Sequence, residues 1–380
     1  MASISGGSAD AAVASCGVLN VAEPVNPPAE RDAAQPYFMT KVLRRDPLVT
    51  FSSAGLREFH LLNLPPVLPE LFDVPRGLHL LHFTHTIEAW HAPENVAASY
   101  AQAKAALPGH EFLALTASET ESWLLAQRGV PSLLGSGLIF TDERVWKPVP
   151  PLVPGLRVYD AVYSARLASN KRHELASSIK SLILIYAHSL AEPENDAYQR
   201  VKAILPQAFF ANHEAGRGDY IKFDTETMVK LLAHAQVGLC LTKVEGCMRA
   251  SIEYMLAGLP VVSTKSTGGR DRYFFGPQCR IVPDDPDQIA AAVIELRNAN
   301  LDRRRVRSHV AQLLMFDRFN FLAQLNRIAE RYFEKADLFD SFEPFIGTIA
   351  QYQPLDKVIQ ELRMSLGGDA GDQTAGGAAG

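Results

Sequence analysis

Residues 237–264 read VGLCLTKVEGCMRASIEYMLAGLPVVST. Val237–Leu241 is a short apolar run with the length and content of a buried strand. A tight acidic loop follows, and then a segment of good helix formers. Leu259 and Pro260 lead into a second apolar run at Val261–Thr264. Strand, loop, helix and strand within so few residues make a crossover unit, and such units build parallel sheets wrapped by helices. Two carboxylates mark the stretch. Glu245 stands in the loop and Glu253, eight positions later, stands in the helix.

The alternation continues on the N-terminal side. Leu156–Ala165 reads as a strand, and Arg172–Lys180 reads as a helix. The apolar run Ser181–Ala187 is of the kind buried on both faces. A helix is expected around Asn195–Ile204, a strand at Ala208–Ala211 and a helix around Thr225–Ala235. Beyond residue 264 come a strand at Cys279–Pro283, a helix over Pro286–Arg297 and a long helical pattern over Asp302–Lys335. Six parallel strands with crossovers predict a Rossmann-like domain. No G-x-G-x-x-G fingerprint accompanies them, which disfavours a dinucleotide-binding oxidoreductase.

The earlier half repeats the pattern more weakly. Strand candidates are Leu48–Phe51, Phe59–Leu64, Leu78–Phe83, Phe112–Thr116 and the apolar run Leu133–Phe140. Helices are expected over Glu94–Leu107 and from Ser118 to Gly129, where Ser118 reads as the N-cap and Glu121 completes a capping box. Between the halves, WKPVPPLVP at 146–154 carries four prolines in nine residues and reads as a linker. The expected division is 1–45 loosely ordered, 46–148 a first Rossmann-like domain, 149–300 a second, 301–366 C-terminal helices, and 367–380 a low-complexity tail.

Bulk properties narrow the function. The 380 residues are 47% hydrophobic and 21% charged, the balance of a globular protein with room for two cores. A net charge of −5 does not suit a nucleic-acid partner. Four cysteines without a C-x-x-C pair point to neither a zinc site nor a disulfide framework, so a cytoplasmic setting is expected. The first thirty residues do not read as a signal peptide, and no apolar run is long enough to span a bilayer. Contact with a membrane, if any, would be peripheral, at its inner face. ArgArgArgValArg from position 303 could touch anionic lipid or form a solvated helix face.

Three constellations carry chemistry. SARLASNKRH at 164–173 places Arg166 at a strand end and Lys171 at the expected helix entrance, both at the carboxyl edge of a parallel sheet, where ligands of open α/β sheets bind. The carboxylates Glu245 and Glu253 form the second. LHLLHFTHTIEAWH at 78–91 is the third. Its His79, His82, His85 and His91 invite a metal reading, but strand alternation sends His79 and His82 to opposite faces, and no cysteine or carboxylate completes a ligand set. No metal is expected.

The E-x7-E spacing of Glu245 and Glu253, the R-x4-K spacing of Arg166 and Lys171, the run LAGLPVVST at 256–264 and Gly268 with Gly269 together resemble retaining glycosyltransferases of the GT-B fold, most closely glycosyltransferase family 4. The resemblance is good over about 115–300 and poor over the first hundred residues. It implies an α/β protein of two Rossmann-like domains facing a cleft, with a C-terminal helix crossing back to the first domain. It implies transfer of a sugar from a UDP- or GDP-linked donor to an acceptor held mainly by residues 1–150, with retention and no metal or other cofactor. The acceptor would be a sugar, a lipid-linked or another small molecule, in glycan, glycolipid or glycoconjugate synthesis.

Residue by residue, the resemblance gives Arg166 and Lys171 the donor pyrophosphate, Glu245 the sugar hydroxyls, and Glu253 the ribose diol. Gly246, Cys247 and Met248 would line the donor pocket. His85 fits best the histidine that such enzymes place at the end of a first-domain strand, with His82 and His91 as competitors, and Ser118 falls where a cleft serine is common. The loop departs from the family at Met248, where a second glycine is usual. A non-catalytic GT-B binding or scaffold protein and a sugar-nucleotide epimerase are the alternatives.

Overall fold

A computed structural model describes residues 37–38, 40–54, 74–83, 86–87, 93–150, 159–187, 193–347 and 353–365. The expected strand Phe59–Leu64, the histidines His85 and His91 and the last four residues of the expected linker (151–154) lie outside these residues. The chain divides into two compact units. The described parts of Asp32–Phe140 and Arg318–Gly380 make one, and those of Thr141–Asp317 make the other.

The first unit opens with strands β1 (Tyr37–Phe38), β2 (Thr40–Arg44), β3 (Leu48–Ala54) and β4 (Gly77–Phe83). Helix α1 (Pro93–Ala106), strand β5 (Glu111–Thr116), helix α2 (Glu119–Ala126) and strand β6 (Ser132–Leu134) follow. The five-stranded sheet has the order β2-β3-β4-β5-β6, parallel except at the β2–β3 edge. β4 is buried on both faces up to Phe83, its two histidines His79 and His82 as well as its leucines. Leu48, Leu81, Ala103, Leu107 and Phe112 pack as one core cluster, and Ile87, Val96, Ala114, Leu125 and Val130 as another.

Two local expectations are corrected here. β2 falls within a stretch whose prolines suggest loose order, yet it pairs with β3, and Arg44 Nη1 donates to the Leu338 carbonyl at 2.8 Å. The run Leu133–Phe140 is a strand only at its start. After Gly135 it becomes a 3-10 turn, Gly137–Phe140, because Phe140 is needed in an aromatic cluster with Phe321 and Phe342 at centroid distances of 5.7 and 5.6 Å.

The second unit contains β7 (Tyr159–Ser164), β8 (Leu182–Ile185), α3 (Glu194–Ile204), β9 (Phe209–Phe210), α4 (Ala211–Ala215) and α5 (Thr225–Ala233). β10 (Ala235–Cys240), α6 (Arg249–Leu256), β11 (Val261–Thr264), β12 (Cys279–Val282) and α7 (Pro286–Ala299) complete it. The six strands are all parallel in the order β12-β11-β10-β7-β8-β9. That order reverses direction between β7 and β10, the signature of a doubly wound Rossmann-like sheet. Local chemistry sets the helix starts. Asp224 accepts from the Thr227 amide at 2.7 Å ahead of α5, and Asp285 accepts from the Gln288 amide at 2.9 Å ahead of α7, with Pro286 opening that helix.

Helix α8 (Arg303–Phe333) begins among the residues of the second unit, and from Arg318 onward the chain is counted in the first. Strand β13 (Gln353–Pro354) pairs antiparallel with β1, and α9 (Leu355–Ser365) ends the described chain. The protein is thus α/β, with two Rossmann-like sheets. Among the described residues no helix is long and apolar enough to cross a membrane.

Candidate functional site

The reversal between β7 and β10 opens a crevice at the carboxyl ends of those neighbouring strands, the place where ligands of such sheets bind. The loop after β7 delivers Lys171 to this edge and the loop after β10 delivers Glu245. Lys171 Nζ donates to Glu245 Oε1 at 2.7 Å. The two side chains are 15% and 17% exposed, so the pair is shielded yet reachable. Glu245 Oε2 is buried and has no hydrogen-bond partner among the described residues. A buried carboxylate oxygen left without a donor is costly, and a ligand hydroxyl or amide would satisfy it.

The Lys171 loop is not the expected helix. Residues 172–180 form no α-helix; Ser169–Lys171 and His173–Ala176 are separate 3-10 turns. Between them Arg172 takes the left-handed conformation, with φ 53°. Its guanidinium donates to the Leu241 carbonyl at 2.6 Å, to Thr264 Oγ1 at 2.5 Å and to Asp284 Oδ2 at 2.6 Å. One side chain thus ties together the ends of β10, β11 and β12. Those three bonds outweigh the helix propensity of KRHELA and the roughly 1 kcal/mol or more of backbone strain. Arg172 also lowers the Asp284 pKa, chiefly through their hydrogen bond. The Tyr163 hydroxyl, at the end of β7, donates to the Lys171 carbonyl and fixes the turn from below.

Arg166 is exposed and has no ion pair or hydrogen bond among the described residues, so the structure does not bring it to Glu245. The Glu245 loop is fixed by backbone pairing with the loop after β11. Thr267 N donates to the Lys243 carbonyl at 3.0 Å, Glu245 N to the Thr267 carbonyl at 2.9 Å, and Arg270 N to the Glu245 carbonyl at 3.1 Å.

Helix α6 starts only at Arg249, with Met248 as an N-cap residue that offers no side-chain bond. Glu245 therefore sits in the loop ahead of the helix and not at its N-terminus. Gly246 and Met248 are buried and Cys247 is half-buried. Met248 is 4% exposed, and its carbonyl accepts from the Ser251 hydroxyl at 2.7 Å. Burial pushes the Cys247 thiol up to about 12, so it stays protonated at neutral pH.

Glu253 is buried on α6, where Arg249, one turn earlier, reaches Oε1 at 3.3 Å. Burial raises the Glu253 pKa, and Arg249 opposes that rise. Next to it, the Tyr254 hydroxyl accepts from the Ser164 amide at 2.5 Å, which anchors α6 against the end of β7.

The histidine turn yields structural residues where it is described. His82 Nδ1 pairs with Ser53 Oγ at 3.1 Å, and burial lowers its pKa to about 4. His79 Nδ1 lies 2.8 Å from Thr50 Oγ1, and His79 Nε2 lies 2.9 Å from His110 Nδ1. His110 Nε2 meets the Val74 carbonyl at 2.8 Å. A carbonyl only accepts, so His110 Nε2 carries hydrogen, His79 Nε2–H donates to His110 Nδ1, and the Thr50 hydroxyl donates to His79 Nδ1. The chain is satisfied with every imidazole neutral. Among the described residues no group of histidine, cysteine and carboxylate could hold a metal ion.

Ser118 is the N-cap of α2 and accepts from the Glu121 amide at 3.2 Å. Glu121 goes further than a capping box. Its carboxylate accepts from Ala117 N and from Ile87 N, both at 2.7 Å, tying Ile87, within the histidine-rich stretch, to the start of α2.

Sequence reasoning missed Arg172 and Arg270. Nothing in KRHE distinguishes Arg172 from a solvated helix residue. For Arg270, its place directly after Gly268 and Gly269 was the available signal.

Residues 208–299 match a family model described as Glycosyl transferases group 1. No curated protein matches the chain in sequence. Several solved structures are distantly similar. Anabaena HepE in complex with UDP and glucose shares 14% identity, with 66% of this chain and 80% of that chain covered and a TM-score of 0.42. An α,α-trehalose-phosphate synthase (UDP-forming) from Burkholderia xenovorans in complex with glucose-6-phosphate shares 13%, covering 63% and 64%, with a TM-score of 0.43. The C-terminal domain of a glycosyl transferase group 1 family protein (LpcC) from Francisella tularensis shares 15%, covering 45% and 97%, with a TM-score of 0.33. The chain therefore carries a glycosyl transferases group 1 domain match over residues 208–299, the stretch that holds Glu245, Glu253 and Arg270.

Proposed function

We propose that the protein is a retaining glycosyltransferase of the family 4 kind that takes a UDP- or GDP-linked sugar. The observation that carries this reading is the Lys171–Glu245 pair at the switch point of the sheet, with Glu245 Oε2 buried and without a partner among the described residues. An ammonium beside the donor diphosphate neutralises the charge that grows on it as the glycosidic bond breaks. Arg166, exposed at the same sheet edge, supplies a second cation once the diphosphate is bound. Glu245 accepts hydroxyls of the donor sugar, and Glu253 accepts from the ribose diol, which its two oxygens suit. Gly246, Cys247 and Met248 form the wall of the sugar pocket, and His85, which lies outside the described residues, is the first-domain histidine that the resemblance assigns to the donor sugar.

Lys171 and Arg166 do here what a divalent cation does elsewhere, so activity is metal-independent and unchanged by a chelator. Retention follows from attack on the face the diphosphate leaves, with the leaving phosphate taking the acceptor proton. The acceptor is a sugar, a lipid-linked or another small molecule, in glycan or glycolipid assembly. The protein works in the cytoplasm, with any membrane contact at the surface.

A competing reading has its own observation. Glu253 already has Arg249 as a partner and Glu245 has Lys171, the arrangement expected of a non-catalytic module in which both pairs are structural. Titration with UDP, GDP and a panel of their sugar derivatives separates the two. The glycosyltransferase reading expects nucleoside diphosphate binding that Lys171→Ala weakens by about tenfold or more, the loss of one charged contact. It also expects slow release of diphosphate from the matching donor. Absence of nucleotide binding, or binding indifferent to Lys171→Ala, sinks it.

A further inference from the structure

The loop that carries Glu245 is held by its neighbour, residues 264–270, and that neighbour is held by one buried side chain. Arg270 is 0% exposed. Its Nη1 donates to the Thr242 carbonyl at 2.5 Å, three residues before Glu245. Its Nη2 donates to Ser263 Oγ at 2.7 Å and to the Thr264 carbonyl at 2.5 Å, at the end of β11. Its Nε donates to Asp271 Oδ1 at 2.8 Å, and Asp271 Oδ2 accepts from the Ser266 amide at 3.2 Å. Four of the five guanidinium hydrogens are thereby placed, in a planar fork that no other side chain reproduces.

The backbone of Arg270 completes the connection, because its amide donates to the Glu245 carbonyl at 3.1 Å. Val244 and Thr267 form an isolated parallel bridge in the same strip. Gly268 and Gly269, with φ of 98° and 96°, turn the chain so that the side chain enters the sheet edge while the amide faces Glu245. The result is a brace, with the guanidinium on the strand ends and the amide on the carboxylate-bearing loop.

We propose that Arg270 is a positioning residue for donor-sugar recognition, acting through Glu245. It fixes where the Glu245 carboxylate stands relative to Lys171, and so couples binding of the sugar to binding of the diphosphate. This rests on the glycosyltransferase reading above. It differs from a role in stability alone, because a brace on Glu245 affects the part of the ligand Glu245 touches and leaves the rest. Arg270→Lys keeps the positive charge beside Asp271 but cannot reach all four acceptors from one nitrogen, so the loop gains freedom without an uncompensated carboxylate.

The test compares affinities for a nucleoside diphosphate and for its sugar derivative by calorimetry. The pair is whichever of UDP/UDP-glucose, UDP/UDP-N-acetylglucosamine and GDP/GDP-mannose the wild type binds tightest. In Arg270→Lys the advantage of the sugar nucleotide over the diphosphate is expected to fall about tenfold (~1.4 kcal/mol), with the diphosphate affinity little changed. In a double-mutant cycle with Glu245→Gln the two losses should not add, since both act through one carboxylate. Ser263→Ala, which removes one acceptor of Nη2, should shift the ratio in the same direction by less, and it decides the matter if Arg270→Lys does not fold. An unchanged ratio in the folded variants, or losses that add fully, overturns the proposal while leaving the glycosyltransferase reading standing. A wild type that binds no nucleotide overturns both.

Discussion

A Cβ added at Gly238, in the middle of β10, would stand 2.2 Å from Cδ2 of Tyr254. That ring is fully buried, and its hydroxyl accepts the Ser164 amide, so it cannot swing away without opening a second defect. Gly238→Ala should therefore destabilise the protein by about 1–3 kcal/mol, the usual cost of overpacking a rigid site. Urea denaturation of wild type and variant checks this, and an unchanged midpoint would mean α6 slides freely on the strand. Tyr254→Phe keeps the packing and removes the acceptor. It should cost about 1–2 kcal/mol, because the Ser164 amide loses its partner. The same scale shows the limits of reading a site from residue types. Glu245 and Lys171 stand out in the sequence, since charged residues at strand ends of a parallel sheet have few structural uses. Arg172 and Arg270 do not, since what matters about them is which carbonyls and hydroxyls surround the guanidinium. Those acceptors come from residues 241–242, 263–264, 271 and 284, brought together only by the sheet.

At the level of elements, helix α2 offers the most direct test of local coding. Its start was legible in TASETE: a serine N-cap followed by a glutamate three residues on. What the sequence could not show is that the Glu121 carboxylate also holds the Ile87 amide, 34 residues earlier in the chain. Ser118→Ala should cost about 1 kcal/mol, the worth of one N-cap bond. Glu121→Ala should cost more, about 2–3 kcal/mol, because it leaves the Ala117 and Ile87 amides without their acceptors in the protein interior. Denaturation midpoints of the two variants give the ranking, and a Ser118→Ala loss as large as that of Glu121→Ala would assign the carboxylate to capping alone. Elsewhere the elements that were legible are those with strong apolar runs and caps, such as β8, β10, β11, α5 and α7. The failures share a cause. Over 172–180 a strong helix former yields to three tertiary bonds from Arg172, and over 133–140 an apolar run is used as aromatic packing instead of strand. Side-chain partners far along the chain override local propensity in both.

Over the whole molecule, three imidazoles buried in neutral form should make stability fall as pH drops below their unfolded value. In the unit built on β2–β6, burial lowers His79 to about 3, with His110 adding to the shift, and lowers His82 to about 4. In the unit built on β7–β12, burial lowers His173 to about 3, helped by Arg200 and Lys171, and its ring lies 5.3 Å from that of Tyr163. In the unfolded chain each would titrate near its ordinary value of 6.5. Between about pH 6.5 and pH 4 the unfolded state therefore binds more protons than the folded state, and stability falls as pH falls. At pH 5 the loss is roughly 2 kcal/mol per histidine, from the 1.36 kcal/mol that one pKa unit represents. Carboxylates held low by partners, such as Asp284 beside Arg172, contribute stability above their unfolded value near 3.8 and lose it only below, so they do not cover this window. Urea midpoints measured at pH 7.5, 6 and 5 should fall stepwise. His82→Asn, which can still bond Ser53 in neutral form, should flatten part of that fall at the expense of a lower midpoint at pH 7.5. A wild type whose midpoint holds from pH 7.5 to 4.5 would mean that these imidazoles accept protons within the fold, and that the Thr50–His79–His110 chain opens to let them in.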